Sequence, residues 1–337
     1  MIIHIILFIT TFLTTSIAGA MWANKDFTDI SNLSFGLTYA ILLMLFLAAH
    51  EFGHYIASRI HKVEASLPFF IPFPPIPMMP SFGTWGAVIK TRSPILTKKA
   101  LFDIGVSGPI AGFIISSIFL IYGLETLPAK DFIYQIHPEY LTNPGGAISM
   151  KGLHFGDMGY YWILSKLFAN PNGWLPPMNE IYHYPFLNVG WFGLFVTCLN
   201  LLPMGQLDGG HTLYAMFGES QGKIAKYFFW ILIILGIGSV LSITYDLLEY
   251  DSPNKVYIFF QDLLLPTLTW IKVNIPFIFQ CWNGWILWAI LGRFFFKLKH
   301  PVVHDQLPLS SGRMLIGWAA ILIFILSFPF NGLFFVE

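Results

Sequence analysis

The chain has 337 residues, 55% of them hydrophobic and only 11% charged, and its 18 basic residues balance 18 acidic ones. Soluble domains carry about 25% charged residues, so this composition excludes a soluble enzyme and describes an integral membrane protein. The balanced charge excludes a nucleic-acid footprint, and the two cysteines, Cys198 and Cys281, make neither a disulfide framework nor a zinc-type cysteine pair.

Met1 to Trp22 is an apolar run with no early Lys or Arg. Ala18-Gly19-Ala20 resembles a signal cleavage site, but signal peptides open on basic residues, so a retained first transmembrane helix is expected. After a polar connection, Leu37 to Ile60 has the roughly 20 apolar residues that a crossing needs. It also carries His50-Glu51-Phe52-Gly53-His54. Histidines four apart share one helix face, so both can point at one metal ion. Imidazole suits zinc, and a Glu beside the first His is placed to take a proton from water. Ionisable groups at membrane depth are costly and usually functional, which favours a metal site over a pair of structural histidines.

The next connection holds Arg59, Lys62, Lys90, Arg92, Lys98 and Lys99 against the single acid Glu64. The positive-inside rule makes it cytoplasmic. Leu67 to Pro77 is both proline-dense and apolar, which forbids a helix and predicts a loop dipping into the membrane or lying at its surface. Thr84 to Lys90 alternates like a strand, and its edge is a candidate to pair with an unwound substrate peptide. Leu101 to Leu124 is a third span. Its Gly105, Ser107, Gly108 and Gly112 allow close helix contact. Asp103 near its start is read as a helix-start or interfacial carboxylate, with a metal or substrate role as the alternative.

Glu125 to Pro185, richer in acids than bases, is expected on the opposite side, with a short amphipathic surface helix over Phe155 to Phe168. His137, His154 and His183 lack ligand spacing and are read as surface or interface histidines. Leu187 to Phe217 is a fourth apolar element, interrupted at Leu202-Pro203-Met204-Gly205-Gln206-Leu207-Asp208-Gly209-Gly210-His211. A broken helix at membrane depth is tolerated only around a cavity or within protein. Asp208 as third ligand beside His50 and His54 explains both the break and the buried acid, since two histidines, a carboxylate and a water are a familiar catalytic zinc set. His211 is the alternative ligand. Further spans are expected over Ala225–Leu248, Pro276–Phe296 and Met314–Phe335, with Glu249–Ile275 interfacial or re-entrant because of Asp251, Asp262 and Lys272. That makes about seven crossings with a cytoplasmic N-terminus. Residues 1–34 form a first helix and connection, 35–217 the membrane core, and 218–337 the C-terminal helices.

The His50–His54 motif, followed by Asn200-x-x-Pro203-x-x-x-Leu207-Asp208-Gly209, resembles the site-2 protease family of intramembrane zinc metalloproteases. Phe82 to Ile89, Asp103 to Gly112 and Leu202 to His211 resemble its branch of chloroplast and bacterial members without a PDZ domain, and no PDZ-like insertion interrupts the outer loop. The resemblance covers roughly residues 37 to 300 and is specific at the two motifs. It implies an all-α polytopic protein of about six to eight transmembrane helices, with a three-helix zinc-protease core and a short membrane-associated β-hairpin or loop. It further implies a zinc ion on His50, His54 and Asp208, Glu51 as catalytic base, and Asn200 steadying the substrate or its oxyanion. The implied partners are single-span membrane-protein substrates and the lipid bilayer, and the implied location is a bacterial inner (cell) membrane. A metal-ion transporter is the alternative from another class, because His and Asp at membrane depth also suit ion passage.

Overall fold

A computed structural model describes residues 1–76, 81–250 and 252–336. Pro77, the end of the expected dipping loop, and Asp251 lie outside the described residues. The chain is mostly helical: α1 (Ile2–Trp22), α2 (Leu37–Ile60), α3 (Lys98–Glu125), α4 (Asp131–Ile136), α5 (Gly159–Phe168), α6 (Pro185–Asn200), α7 (Asp208–Phe217), α8 (Ser220–Glu249), α9 (Lys255–Asn274), α10 (Gly284–Phe294) and α11 (Ser311–Ser327). Four short strands make two antiparallel pairs, β1 (Phe69–Pro72) with β2 (Thr84–Val88) and β3 (Gly152–Phe155) with β4 (Leu333–Val336). The expected all-α polytopic architecture is present. Among the described residues five helices, α1, α2 (extended through the 3₁₀ turn from Ile30), α3, α8 and α9, are long and apolar enough to cross a membrane.

The core is built from α2, α3, α6 and α7. Thr97 starts α3, its side chain accepting from the Ala100 amide at 3.1 Å. The small residues of α3 then let neighbouring helices approach: a Cβ on Gly105 would stand 2.8 Å from the His211 Cβ, and Gly53 of α2 faces the Ser107 carbonyl just as closely. Behind this contact lie fully buried Phe46, Leu43, Phe102, Leu120 and Trp191, whose indole N–H donates to the Gly156 carbonyl at 2.8 Å.

The described parts of the β1–β2 excursion run alongside α1. Phe69 packs on His4 near the start of α1, and Phe82 packs on Trp22 at its end. At 1.5 Å per residue those contacts are about 27 Å apart along the helix, close to the hydrocarbon thickness. Phe82 also stacks on Phe192 of α6 at 3.8 Å, and its carbonyl accepts from the Tyr39 hydroxyl of α2 at 3.2 Å. Phe69 and Phe82 of the excursion thus pack against α1, and Phe82 also against α2 and α6, while Ile71, Ile76 and Trp85 stay exposed.

Three expectations for the C-terminal third need correction. Residues 255–274, read as interfacial or re-entrant, form a continuous helix. Lys255 and Lys272 sit at its ends, which leaves Asp262 as the interior charge. Residues 276–296, read as a span, divide into a 3₁₀ turn after Pro276 and the 11-residue α10, too short to cross. Residues 314–335, read as the last span, hold a helix that stops at Ser327, before Pro329; the chain then extends into β4. Over its 17 residues α11 still runs from an ion pair on α3 to the outer sheet β3–β4.

Candidate metal centre

His50 and His54 occupy successive turns of α2, with ring centroids 4.8 Å apart and their Nε2 atoms 3.1 Å apart. Asp208 opens α7, and its Oδ2 lies 3.6 Å from His50 Nε2 and 3.2 Å from His54 Nε2. Four donors about 2.1 Å from one zinc ion stand roughly 3.4 Å apart in a tetrahedron. The three observed separations bracket that value. The structure therefore brings the three expected ligand residues together, and His50, His54 and Glu51 are all buried.

Backbone groups fix the orientation of this trio. The His54 Nδ1–H donates to the Ile104 carbonyl at 2.7 Å, so its Nε2 carries the lone pair. A metal-ligating histidine needs such an outer hydrogen bond, which sets the tautomer. Gly108 lies against the ligating edge of that ring: a Cβ there would be 2.1 Å from His54 Nε2. Around His50 the packing is looser. Its Nδ1 and the Thr197 hydroxyl both lack a hydrogen-bond partner among the described residues, and both lie 3.3 Å from where a Gly112 Cβ would be.

Asp208 reaches the histidines because the chain between α6 and α7 breaks. Gly205 adopts a positive φ of 34°, and its amide donates to the Leu298 carbonyl at 3.1 Å, followed by Gln206 N–H to the Phe296 carbonyl at 3.1 Å. Buried Gln221 donates to the carbonyls of Pro203 and Leu298. The break is thus satisfied within protein, the condition for irregular backbone at membrane depth. Gly209 and Gly210 have carbonyls of residues 201–205 within 2.0–2.5 Å of where a Cβ would be, so only glycine fits after Asp208.

Asn200, the last residue of α6, has its Nδ2 3.2 Å from His50 Nε2, at the rim of the trio. The Glu51 carboxylate lies beside the backbone amide of Ile89, just past the end of β2. His211, the alternative ligand, turns away: its Nδ1 is 2.8 Å from His300 Nε2, and His300 stacks on Tyr214. Asp103 is neither helix cap nor ligand. Arg313 of α11 donates to both its oxygens at 2.8 Å, and His61 Nε2 donates at 2.7 Å, so it ties three helices at the basic end.

The outer loop corrects a further expectation. His154 is buried, donates to the Met150 carbonyl and stacks on Phe334. His137 and His183, however, meet each other with Glu180 in a second group of potential ligands. Burial lowers the His183 imidazole to about 3 and raises the Glu180 carboxyl. The spacing of Glu180 three residues before His183 was the available signal for this cluster; nothing in sequence links it to His137.

Residues 38–243, most of the chain, match Peptidase family M50. Among curated relatives, the chain is 32% identical to a probable zinc metalloprotease EGY1, chloroplastic, of Oryza sativa subsp. japonica, over 50% of this chain and 26% of that one. It is 30% identical to the Arabidopsis thaliana protein of the same name, over 55% and 30%. It is 22% identical to a probable zinc metalloprotease EGY2, chloroplastic, of Oryza sativa subsp. indica, over 75% and 46%. The chain therefore spans between a quarter and a half of those relatives' length. No solved structure matches. The relatives' names bring zinc, and the donor set of His50, His54 and Asp208 fits it in number and spacing, with His54 held in the ligating tautomer. Transport appears in none of these names, so the transporter alternative is without support.

Proposed function

The chain belongs to peptidase family M50, and on that premise we propose that it is an intramembrane zinc metalloendopeptidase. Its substrates are single-span membrane proteins, cut in or near their transmembrane segments. The observation that carries the reading is the meeting of His50, His54 and Asp208 at one point, with Glu51 buried on the same helix. Zinc held by these three groups supplies Lewis acidity strong enough to bring the pKa of a water toward about 7.

Within that site Glu51 takes a proton from water and later delivers it to the leaving nitrogen, a role worth roughly 10²- to 10⁴-fold in rate. Asn200, at the end of α6 with its Nδ2 3.2 Å from His50 Nε2, is near enough to offer its amide N–H to the oxyanion. The Ile104 carbonyl keeps His54 in the ligating tautomer. Among the described residues β2 pairs with β1 on one side only, and its outer edge leads to Ile89 beside Glu51. An unwound substrate segment added to that edge would run past the base. Proline substitutions from Trp85 to Val88 should then depress cleavage, and undiminished cleavage would remove the edge from the account.

The protein is a multi-pass membrane protein. The relatives are named chloroplastic and lend no support to a bacterial inner membrane. The test of the assigned base is Glu51→Gln in reconstituted vesicles with a single-span substrate. Cleavage should fall at least about a hundredfold; cleavage at the original rate would refute the assignment.

A further inference from the structure

The cluster in the outer loop has the chemistry of a second metal site. His137 follows α4, Glu180 precedes the short 3₁₀ turn leading into α6, and His183 is the last residue of that turn. His183 Nε2 lies 3.0 Å from His137 Nε2 and 3.5 Å from Glu180 Oε2, and His137 Nε2 lies 3.9 Å from the same oxygen. These separations bracket the roughly 3.4 Å expected between ligands of one tetrahedral zinc.

Each ligand is oriented by a partner at its far atom. The His183 Nδ1–H donates to the Trp22 carbonyl at 2.7 Å, and the His137 Nδ1–H donates to Glu139 Oε1 at 2.8 Å. Carbonyl and carboxylate oxygens only accept, so both Nδ1 atoms carry the proton. In neutral rings that leaves two Nε2 lone pairs facing each other at 3.0 Å, an arrangement that is repulsive unless a cation lies between them. Glu180 Oε1 accepts from the Tyr140 hydroxyl at 2.7 Å. Its Oε2 is turned into the cluster, and it finds no hydrogen-bond partner among the described residues although Glu180 is only 1% exposed. A buried charged oxygen without a partner is unfavourable unless something compensates it.

We infer that His137, His183 and Glu180 bind a second divalent cation of the zinc class, separate from the site on His50, His54 and Asp208. Two imidazoles and one carboxylate select zinc over magnesium or calcium, which take oxygen ligands. The site has no spare buried base. Glu139 is committed to His137, and Tyr140 to Glu180. Its role is to hold three segments together: the end of α1 through Trp22, the loop after α4, and the entry to α6, whose far end carries Asn200.

The test is metal stoichiometry of the purified full-length chain, stripped with chelator and titrated with Zn²⁺, and separately with Co²⁺, whose visible spectrum reports tetrahedral nitrogen and oxygen ligands. The wild type should bind two equivalents. Glu180→Gln and His137→Ala should each bind one, and retention of the inner equivalent shows that the variant has folded. Asp208→Ala should bind one, at the outer site. A folded wild type that binds a single equivalent would overturn the inference; that result would mean the facing imidazoles share a proton instead. Two equivalents that survive both Glu180→Gln and His137→Ala would overturn it equally.

Discussion

The two triads share a composition and differ in what surrounds it. At the inner one, His50, His54 and Asp208 project from α2 and α7, pressed together by the glycines of α3, with Glu51 and Asn200 at hand but not among the three ligand groups. At the outer one, His137, Glu180 and His183 project from short turns between elements, and the neighbouring polar groups are consumed in orienting them. On the two readings proposed above, the difference separates a site for chemistry from a site for holding. Reaction needs a proton acceptor not occupied by the ligands, and geometry held by rigid helices. A clamp needs only closure, and its fixed partners provide that.

The largest expected effect breaks the chemistry and leaves the metal-ligating residues untouched. Glu51→Gln should lower cleavage at least about a hundredfold with zinc content unchanged; zinc analysis of the same sample checks the second half. Next, Gly108→Ala should empty the inner site alone, because the added carbon would stand 2.1 Å from His54 Nε2. Equilibrium dialysis should show one zinc equivalent lost and the outer one retained. Asp103→Asn weakens the tie among α2, α3 and α11 without touching either triad. It should cost about 1–2 kcal/mol, a discounted figure because the pair is partly exposed, read as a lowered thermal midpoint. The smallest effect belongs to Gly112→Ala, whose new carbon meets Phe46, His50 Nδ1 and Thr197 Oγ1 at 3.1–3.3 Å. A shift of His50 by a few tenths of an ångström should weaken zinc affinity by roughly tenfold.

The inner triad was legible because two of its ligands lie one helical turn apart and the third sits where a charge beside a broken helix demanded explanation. The glycines of α3 were legible as a contact surface, though not as the close neighbour of the His54 Nε2 edge. The outer triad was hidden because loops carry no period: His137 and Glu180 are brought together by tertiary packing of residues far apart in sequence. The same limit explains the misread C-terminal third. Hydropathy totals apolar residues over a window but does not see that Pro276 and Asn283-Gly284 cut one run into a turn and a short helix. Of the charges that made 249–275 read as interfacial, Asp262 does lie inside the helix, but Lys272 lies in its last turn, where a charge does not interrupt a span. The pairing of β4 with β3 joins strands separated by most of the chain, beyond any local signal.

The central claim is that two distant elements grip one ion through two imidazoles and a carboxylate. Anomalous scattering at the zinc edge from crystals of the metal-loaded protein tests it directly. The account predicts a peak within bonding distance, about 2.0–2.2 Å, of His50 Nε2, His54 Nε2 and Asp208 Oδ2. No peak there, or a peak on the histidines with the Asp208 carboxylate turned away, would contradict it.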